Sequence, residues 1–172
     1  MKEDMKKAEE NLSSFKVVAN LPYYITTPIL FKLLEESEKL TSLTVMVQKE
    51  VADRIVAKAG GKDYGILTVM IAFYGEAKIT RVVKRDMFYP APNVDSAVVR
   101  IDKKQKYEID KDKFSKFVKA SFSMRRKTLL NNLSSLYSKE KLKQTFDNNF
   151  LMKRAESLTL DEFVEVFNKL EN

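Results

Sequence analysis

The chain has 172 residues, of which 44% are hydrophobic, enough for the core of one ordinary globular domain or one and a half small ones. It contains no cysteine and no histidine, which excludes disulfides, thiolate nucleophiles, Ser-His-Asp catalysis and the usual zinc sites. The net charge is +7, no apolar stretch approaches the roughly 20 residues that span a bilayer, and the N-terminus is charged, so we expect a cytoplasmic protein.

The first half of the chain mixes predicted helices and strands. Residues 1–14 are compatible with a helix, and Phe15 to Ala19 reads as a buried strand. Thr26 or Thr27 can cap the next helix, with Pro28 in its first turn. The apolar run 66–73 is too short to be assigned as a strand or a buried helix. The other predicted elements are an apolar helix stripe of Ile29, Leu30, Leu33 and Leu34, a strand at 43–47, and a helix at 48–57 ended by Gly60-Gly61.

The second half begins with two strands and then becomes helical. Strands are predicted at 78–83 and 97–101, and between them Pro90 and Pro92 impose an extended, stiff loop. Three helices follow in the predicted order: 113 to about 137, 139–147, and one begun by Thr159 with Glu162 as its capping box. We therefore expect two domains, 1–107 and 108–172.

The positive charge is concentrated in one part of the predicted helical region. Residues 111–143 contain ten Lys or Arg against two acidic residues, a local net charge of +8. Arg125, Arg126 and Lys127 are consecutive and would span nearly a full helical turn, so they cannot all avoid a phosphate surface laid against that helix. A solvated helix face is the open alternative.

The segment Asn20-Leu21-Pro22-Tyr23 directly follows the first predicted strand. The exocyclic amine of adenine is a poor nucleophile, so a methyltransferase must hold acceptors against its hydrogens, and the Asn20 amide oxygen and the Leu21 carbonyl can serve. Pro22 would stiffen the turn, and Tyr23 offers a flat face to a base removed from its stack. An ordinary junction between strand and turn is the alternative.

Four separated motifs in this order resemble the KsgA-type rRNA adenine dimethyltransferases. They are the segment 17–29, Val47-Gln48-Lys49-Glu50-Val51-Ala52, Phe88-Tyr89-Pro90-Ala91-Pro92-Asn93-Val94-Asp95-Ser96, and Ser121-Phe122-Ser123-Met124-Arg125-Arg126-Lys127-Thr128-Leu129. The resemblance extends from about Val17 to the end of the chain. Macrolide-resistance methyltransferases share the turn but are less similar in the last two motifs. The resemblance implies an α/β fold, namely part of a Rossmann-like class I methyltransferase sheet followed by a small all-α C-terminal domain.

The resemblance also implies transfer of methyl groups from S-adenosylmethionine to the N6 atoms of two adjacent adenosines in the 3′-terminal hairpin of 16S rRNA. Asn20 and the Leu21 carbonyl would accept from the adenine amine, and Asn20 would also lie near the cofactor. Tyr23 and Phe88 would stack on the two faces of the base, with Pro22 in the same catalytic turn. The expected rRNA-binding residues are Lys116, Lys119, Arg125, Arg126 and Lys127.

The N-terminal part departs from the family pattern. Only 16 residues precede Val17, and all four glycines follow Tyr23, so the glycine-rich cofactor loop of a class I methyltransferase is missing. We therefore expect a truncated chain that binds S-adenosylmethionine weakly or not at all and is inactive by itself. The first strand would then become a hydrophobic edge prone to self-association, unless a helix at 1–12 covers it.

Two other functions remain open at this stage. The same scaffold can serve as a non-catalytic rRNA-binding or ribosome-assembly module, which the missing cofactor loop favours. A DNA adenine methyltransferase often carries a similar turn with Asp in place of Asn20, but the basic helical tail favours RNA.

Overall fold

The computed structural model describes residue 7 and residues 9–171 of the chain. These residues form two compact units. The first contains the described residues up to Val56 together with Ile71–Lys106, and the second contains Ala57–Met70 and the residues from Tyr107 onward. The segment Ala57–Met70, which the sequence placed in the first domain, therefore packs with the C-terminal helices. Most of the helix predicted over 1–12 lies outside the described residues.

The first unit is built on a mixed sheet of four strands among the described residues. In chain order they are β1 (Phe15–Asn20), β2 (Leu40–Gln48), β3 (Gly75–Val83) and β4 (Ser96–Lys103), with the spatial order β1-β2-β4-β3. β1 pairs with β2 in parallel, whereas β4 is antiparallel to both of its neighbours. The two central strands supply much of the core, since Leu43, Val45, Val47, Val99 and Ile101 are fully buried.

β1 is a strand, as predicted, but the prediction that it is buried is wrong. Its residues alternate between intermediate and exposed, and Val18 is 82% exposed. The reason is its position at the edge of the described sheet, where a strand has only one hydrogen-bonded neighbour and is covered incompletely.

Helix α1 (Thr26–Glu36) connects β1 to β2, and α2 (Lys49–Ile55) follows β2. The predicted side-chain cap of α1 is wrong, because its N-cap residue is Ile25 and the Thr26 hydroxyl instead donates to the Pro22 carbonyl at 3.1 Å. The undecided run at 66–73 forms helix α3 (Ile66–Tyr74). No helix within the described residues is long and apolar enough to cross a bilayer.

The second unit is helical. Its elements are α4 (Lys111–Ser121), α5 (Leu129–Leu133), α6 (Lys139–Thr145), α7 (Asn148–Leu151) and α8 (Leu160–Glu171), with a 3₁₀ turn at Ala155–Ser157. Buried phenylalanines join α4 to α8; for example, the rings of Phe114 and Phe167 meet edge to face with centroids 5.4 Å apart. The capping box is confirmed, because the Thr159 amide donates to Glu162 at 2.8 Å and the Glu162 amide donates to the Thr159 hydroxyl at 3.3 Å.

The single helix predicted from 113 to about 137 is wrong. α4 ends at Ser121, and α5 begins only at Leu129. The buried side chain of Asn132 replaces helical hydrogen bonds in the connection, since it donates to the Ser121 and Met124 carbonyls at 2.6 and 3.2 Å. Arg125, Arg126 and Lys127 consequently lie in a turn and not on a helix.

Candidate functional site

The turn after β1 leaves two hydrogen-bond acceptors available. Asn20 ends β1 at the carboxyl end of a parallel strand pair, the edge at which α/β sheets bind ligands, and its side chain is exposed. The Leu21 amide is held by the Met46 carbonyl at 3.3 Å, which fixes the backbone of the turn. The Pro22 carbonyl accepts from the Ile25 amide at 3.1 Å, whereas no donor within the described residues reaches the Leu21 carbonyl.

This turn and the proline-rich loop line one cleft of about 360 Å³. The lining residues are Asn20, Leu21, Pro22, Tyr23, Phe88, Tyr89, Pro90 and Pro92. All five residues predicted as catalytic therefore lie together, although their positions in the chain are up to 68 residues apart. The sequence interpretation missed Tyr89, Pro90 and Pro92 as lining residues, and the signal for them was the pair of prolines that keeps the loop extended.

Hydrogen bonds fix both walls of the cleft. The hydroxyls of Tyr23 and Ser96 share a hydrogen bond of 2.6 Å. At the base of the loop, the Asp95 carboxylate accepts from the Lys84 ammonium at 2.8 Å and from the Arg85 amide at 3.0 Å. These two donors, the ammonium first, hold the pKa of Asp95 below its usual value, so its carboxylate is charged at neutral pH.

The cleft suits a flat, uncharged ring that carries hydrogen-bond donors. Six of its eight lining residues are aromatic or proline, and none of the eight is charged. A carboxylate is what would hold ribose hydroxyls of a nucleoside cofactor. No group of acidic side chains that could hold a metal ion occurs within the described residues.

The predicted rRNA-binding residues all belong to the second unit and are exposed. Lys116 and Lys119 lie on α4, whose Phe114 and Phe117 are buried. Arg125, Arg126 and Lys127 occupy the turn between α4 and α5.

Two further cations, Lys153 and Arg154, were missed because they follow the most basic stretch of the sequence. The Lys153 carbonyl accepts from the Leu129 amide at 2.8 Å, which brings both residues to the end of the basic turn. The Glu156 carboxylate lies 3.9 Å from both the Arg125 and the Arg154 guanidinium groups. The five cations of this surface, Arg125, Arg126, Lys127, Lys153 and Arg154, form what we call the basic surface.

Comparison with known proteins identifies relatives along the whole chain. The model of the family described as "Ribosomal RNA adenine dimethylase" matches residues 1–172. The Ribosomal RNA small subunit methyltransferase A of Clostridium acetobutylicum is 45% identical over 163 residues, which cover 91% of this chain and 59% of the relative. Its counterpart in Bacillus cytotoxicus is 47% identical over 164 residues, which cover 90% of this chain and 56% of that relative. The chain thus spans less than three fifths of the length of these relatives.

Solved structures agree with this result. A dimethyladenosine transferase from Plasmodium falciparum matches with a TM-score of 0.79 and 26% identity, over 92% of this chain and 68% of that one. The 23S rRNA methyltransferase ErmE matches in fold, with a TM-score of 0.67 and 23% identity, over 94% of this chain and 67% of that one. The predicted α/β class with a Rossmann-like methyltransferase sheet and a helical C-terminal part is confirmed, as is the resemblance to KsgA-type enzymes. The chain belongs to the ribosomal RNA adenine dimethylase family.

Proposed function

We propose that these 172 residues form the base-binding and rRNA-binding part of a methyltransferase that dimethylates the N6 atoms of two adjacent adenosines in the 3′-terminal hairpin of 16S rRNA. S-adenosylmethionine would be the methyl donor. The observation that supports this most strongly is the cleft, which brings two available acceptors and two aromatic side chains together.

The cleft residues would bind and orient the adenine. The Asn20 amide oxygen and the Leu21 carbonyl would accept from the two N–H groups of the exocyclic amine. Tyr23 and Phe88 would stack on a base removed from its helix, and such stacking typically contributes about 1–3 kcal/mol per base. Acceptors that bind more tightly as the nitrogen becomes tetrahedral would favour the transition state over the ground state. The released proton needs no dedicated base, because the methylated amine is acidic enough to lose it to water.

The described residues do not by themselves fit S-adenosylmethionine. Apart from the hydroxyls of Tyr23 and Tyr89, the cleft offers the cofactor one polar side chain, Asn20, and it offers no carboxylate for ribose hydroxyls. All four glycines of the 172 residues follow Tyr23, so no glycine-rich loop precedes the turn within them. We therefore expect a polypeptide of these residues alone to bind rRNA but not to catalyse methyl transfer.

The basic surface would contact rRNA phosphates together with Lys116 and Lys119. Two carboxylates, Glu156 and Glu162, form ion pairs with this surface among the described residues, against its five cations, so the surface keeps a net positive charge. Each phosphate neutralised by a cation releases counterions, and binding should weaken steeply with salt. A shallow salt dependence of binding to small-subunit particles would contradict this assignment.

The alternative is a non-catalytic rRNA-binding or ribosome-assembly module. It is favoured by the same lack of cofactor-binding groups in the cleft. A single experiment separates the two functions. The 172 residues are joined to the part of the Clostridium acetobutylicum relative that lies outside the aligned region, and the chimera is incubated with S-adenosylmethionine and unmethylated small-subunit particles.

The methyltransferase proposal expects N6,N6-dimethyladenosine in the digested 16S rRNA. Asn20→Ala should lower the rate by roughly 100-fold, the cost typical of losing one preorganised hydrogen-bonding group. Asn149→Ala is the matched control, because Asn149 is an exposed residue of α7 in the second unit. A folded chimera that binds the particles without methylating them would support the assembly module. Turnover by the 172 residues alone would show that they hold the cofactor unaided.

A further inference from the structure

Two consecutive residues where β4 begins, Asp95 and Ser96, link the two walls of the cleft. Ser96 is fully buried, and its backbone pairs with Gln48 of β2 on one side and with Val83 of β3 on the other. It is therefore held from both sides by the sheet. Its hydroxyl reaches the Tyr23 hydroxyl at 2.6 Å, so the phenol ring is tied to a strand that is paired on both sides.

Asp95, the preceding residue, closes the loop that carries Phe88. Its two carboxylate oxygens accept from the Arg85 amide and the Lys84 ammonium at 3.0 and 2.8 Å. Its carbonyl accepts from the Lys49 amide at 2.9 Å. Lys49 begins α2, and the first amides of a helix have no acceptor within the helix itself. Two of these hydrogen bonds therefore join the ends of the loop to each other, and the third fixes the loop to the start of α2.

We propose that Asp95 and Ser96 are positioning residues that set the spacing and orientation of the Tyr23 and Phe88 rings, Ser96 through Tyr23 and Asp95 through the loop. This inference rests on the proposed function. A base stacks between two rings only when each ring lies about 3.5–4 Å from its face. A ring pair held in that arrangement before binding avoids the entropy cost of ordering two aromatic side chains when the base arrives.

The first test is a double-mutant cycle on the Tyr23–Ser96 hydrogen bond. Adenosine 5′-monophosphate is titrated into the labelled 172-residue protein, and the dissociation constant is read from the NMR ring signals of Tyr23 and Phe88. Tyr23→Phe keeps the stacking ring and removes only the hydroxyl, and Ser96→Ala removes the other partner. Each variant should bind roughly three- to tenfold more weakly, as expected for one lost hydrogen bond. The double variant should bind no more weakly than either single variant.

The matched control is Thr80→Ala. The exposed Thr80 hydroxyl donates to the Val98 carbonyl at 3.1 Å within the same sheet and lies outside the residues that line the cleft. Its loss should leave the dissociation constant unchanged. Equal losses of affinity in Thr80→Ala and Ser96→Ala, or additive effects in the cycle, would overturn the role of Ser96.

The second test separates the carboxylate contacts of Asp95. Asp95→Asn keeps an acceptor for the Arg85 amide, whereas Asp95→Ala removes it. Lys84→Met removes only an ion pair whose lysine is 69% exposed, which should matter little. We expect Asp95→Ala to weaken binding by roughly three- to tenfold and to shift the Phe88 ring signals before ligand is added, with much smaller effects in the other two variants. Equal effects in all three variants would overturn the role of Asp95.

Failure of the proposed function gives a different pattern. If the wild-type protein does not bind the nucleotide, or if Phe88→Ala binds it as tightly as the wild type, the cleft does not stack adenine, and both proposals are overturned. If Phe88→Ala loses binding while Ser96→Ala and Tyr23→Phe bind normally, the proposed function stands and only the positioning inference is overturned. Thermal unfolding of each variant identifies any that bind weakly because they are unfolded.

Discussion

The side-chain amide of Asn132 donates a hydrogen bond of 2.6 Å to the carbonyl of Ser121, the last residue of α4. The same side chain donates to the Met124 carbonyl at 3.2 Å and accepts from the Met124 amide at 3.2 Å and the Ser123 hydroxyl at 3.3 Å. Asn132 thereby uses both of its donors and both acceptor positions of its oxygen. One buried residue of α5 therefore shapes the turn that carries Arg125, Arg126 and Lys127.

Replacement of Asn132 should destabilise this turn. Asn132→Ala leaves the Met124 amide and the Ser121 carbonyl without their partner, and we expect a loss of about 2–4 kcal/mol in the free energy of unfolding. Asn132→Asp keeps the shape but turns two donors into acceptors that face carbonyls, so it should be at least as damaging at neutral pH. Urea unfolding of both variants measures this. A loss below about 1 kcal/mol in both would show that the turn does not depend on Asn132.

Gly75 should tolerate no side chain. It begins β3 opposite Lys103, and a β-carbon there would lie 2.3 Å from the Asp102 carbonyl oxygen. Backbone must move to relieve this contact, so Gly75→Ala should lower the free energy of unfolding by about 2–3 kcal/mol. Gly65→Ala is the matched control, because a β-carbon at Gly65 meets nothing within 4 Å. The control should be neutral or slightly stabilising in urea unfolding, and equal losses in both variants would contradict the prediction.

The edge position of β1 predicts self-association, which stays a proposal. Val18 is 82% exposed on a strand that pairs only with β2 among the described residues. Unpaired edges of this kind recruit other strands, and an outward charge discourages such pairing. We expect sedimentation to show dimers or larger species at high concentration, and Val18→Lys to reduce them. A compact wild-type monomer at the same concentration would count against the proposal.

The stability of the second unit should depend on pH through Tyr64. Burial, and then the charge of Glu162, raise the pKa of Tyr64 to about 12 from the ordinary 10.0. Its protonated hydroxyl donates to the Leu158 carbonyl at 2.6 Å. Because the pKa is higher in the folded than in the unfolded protein, this contribution is complete below pH 10 and is lost as the pH rises toward 12.

Comparison of the wild type with Tyr64→Phe isolates this contribution from the other groups that titrate in the same range. The wild type should be more stable than the variant by about 1 kcal/mol at pH 8, the usual value of one hydrogen bond. This difference in the free energy of unfolding should decrease as the pH is raised from 10 to 12. A difference that stays constant over that range would contradict the assignment.

Sequence predicts best those features that neighbouring residues determine. The capping box of Thr159 and Glu162 involves residues three apart, and the Asn20 turn follows directly from the strand before it. The interruption after Ser121 depends on Asn132, eleven residues later, and helical periodicity carries no signal for it. The bond between Tyr23 and Ser96 spans 73 residues, so only the folded sheet shows that the hydroxyl of Ser96 belongs to the cleft. The edge position of β1 was expected from the departure from the family pattern, and not from the apolar run itself, which indicates a buried strand.

The most direct test of the proposal that the cleft binds adenine is an NMR titration of the 172-residue protein with three nucleosides: adenosine, N6-methyladenosine and N6,N6-dimethyladenosine. Two acceptors, Asn20 and the Leu21 carbonyl, should make affinity follow the number of N–H groups on the exocyclic nitrogen. We expect adenosine to bind most tightly and N6,N6-dimethyladenosine most weakly, with the largest shifts at the Tyr23 and Phe88 rings. Equal affinity for the three nucleosides, or shifts that leave both rings unchanged, would contradict it.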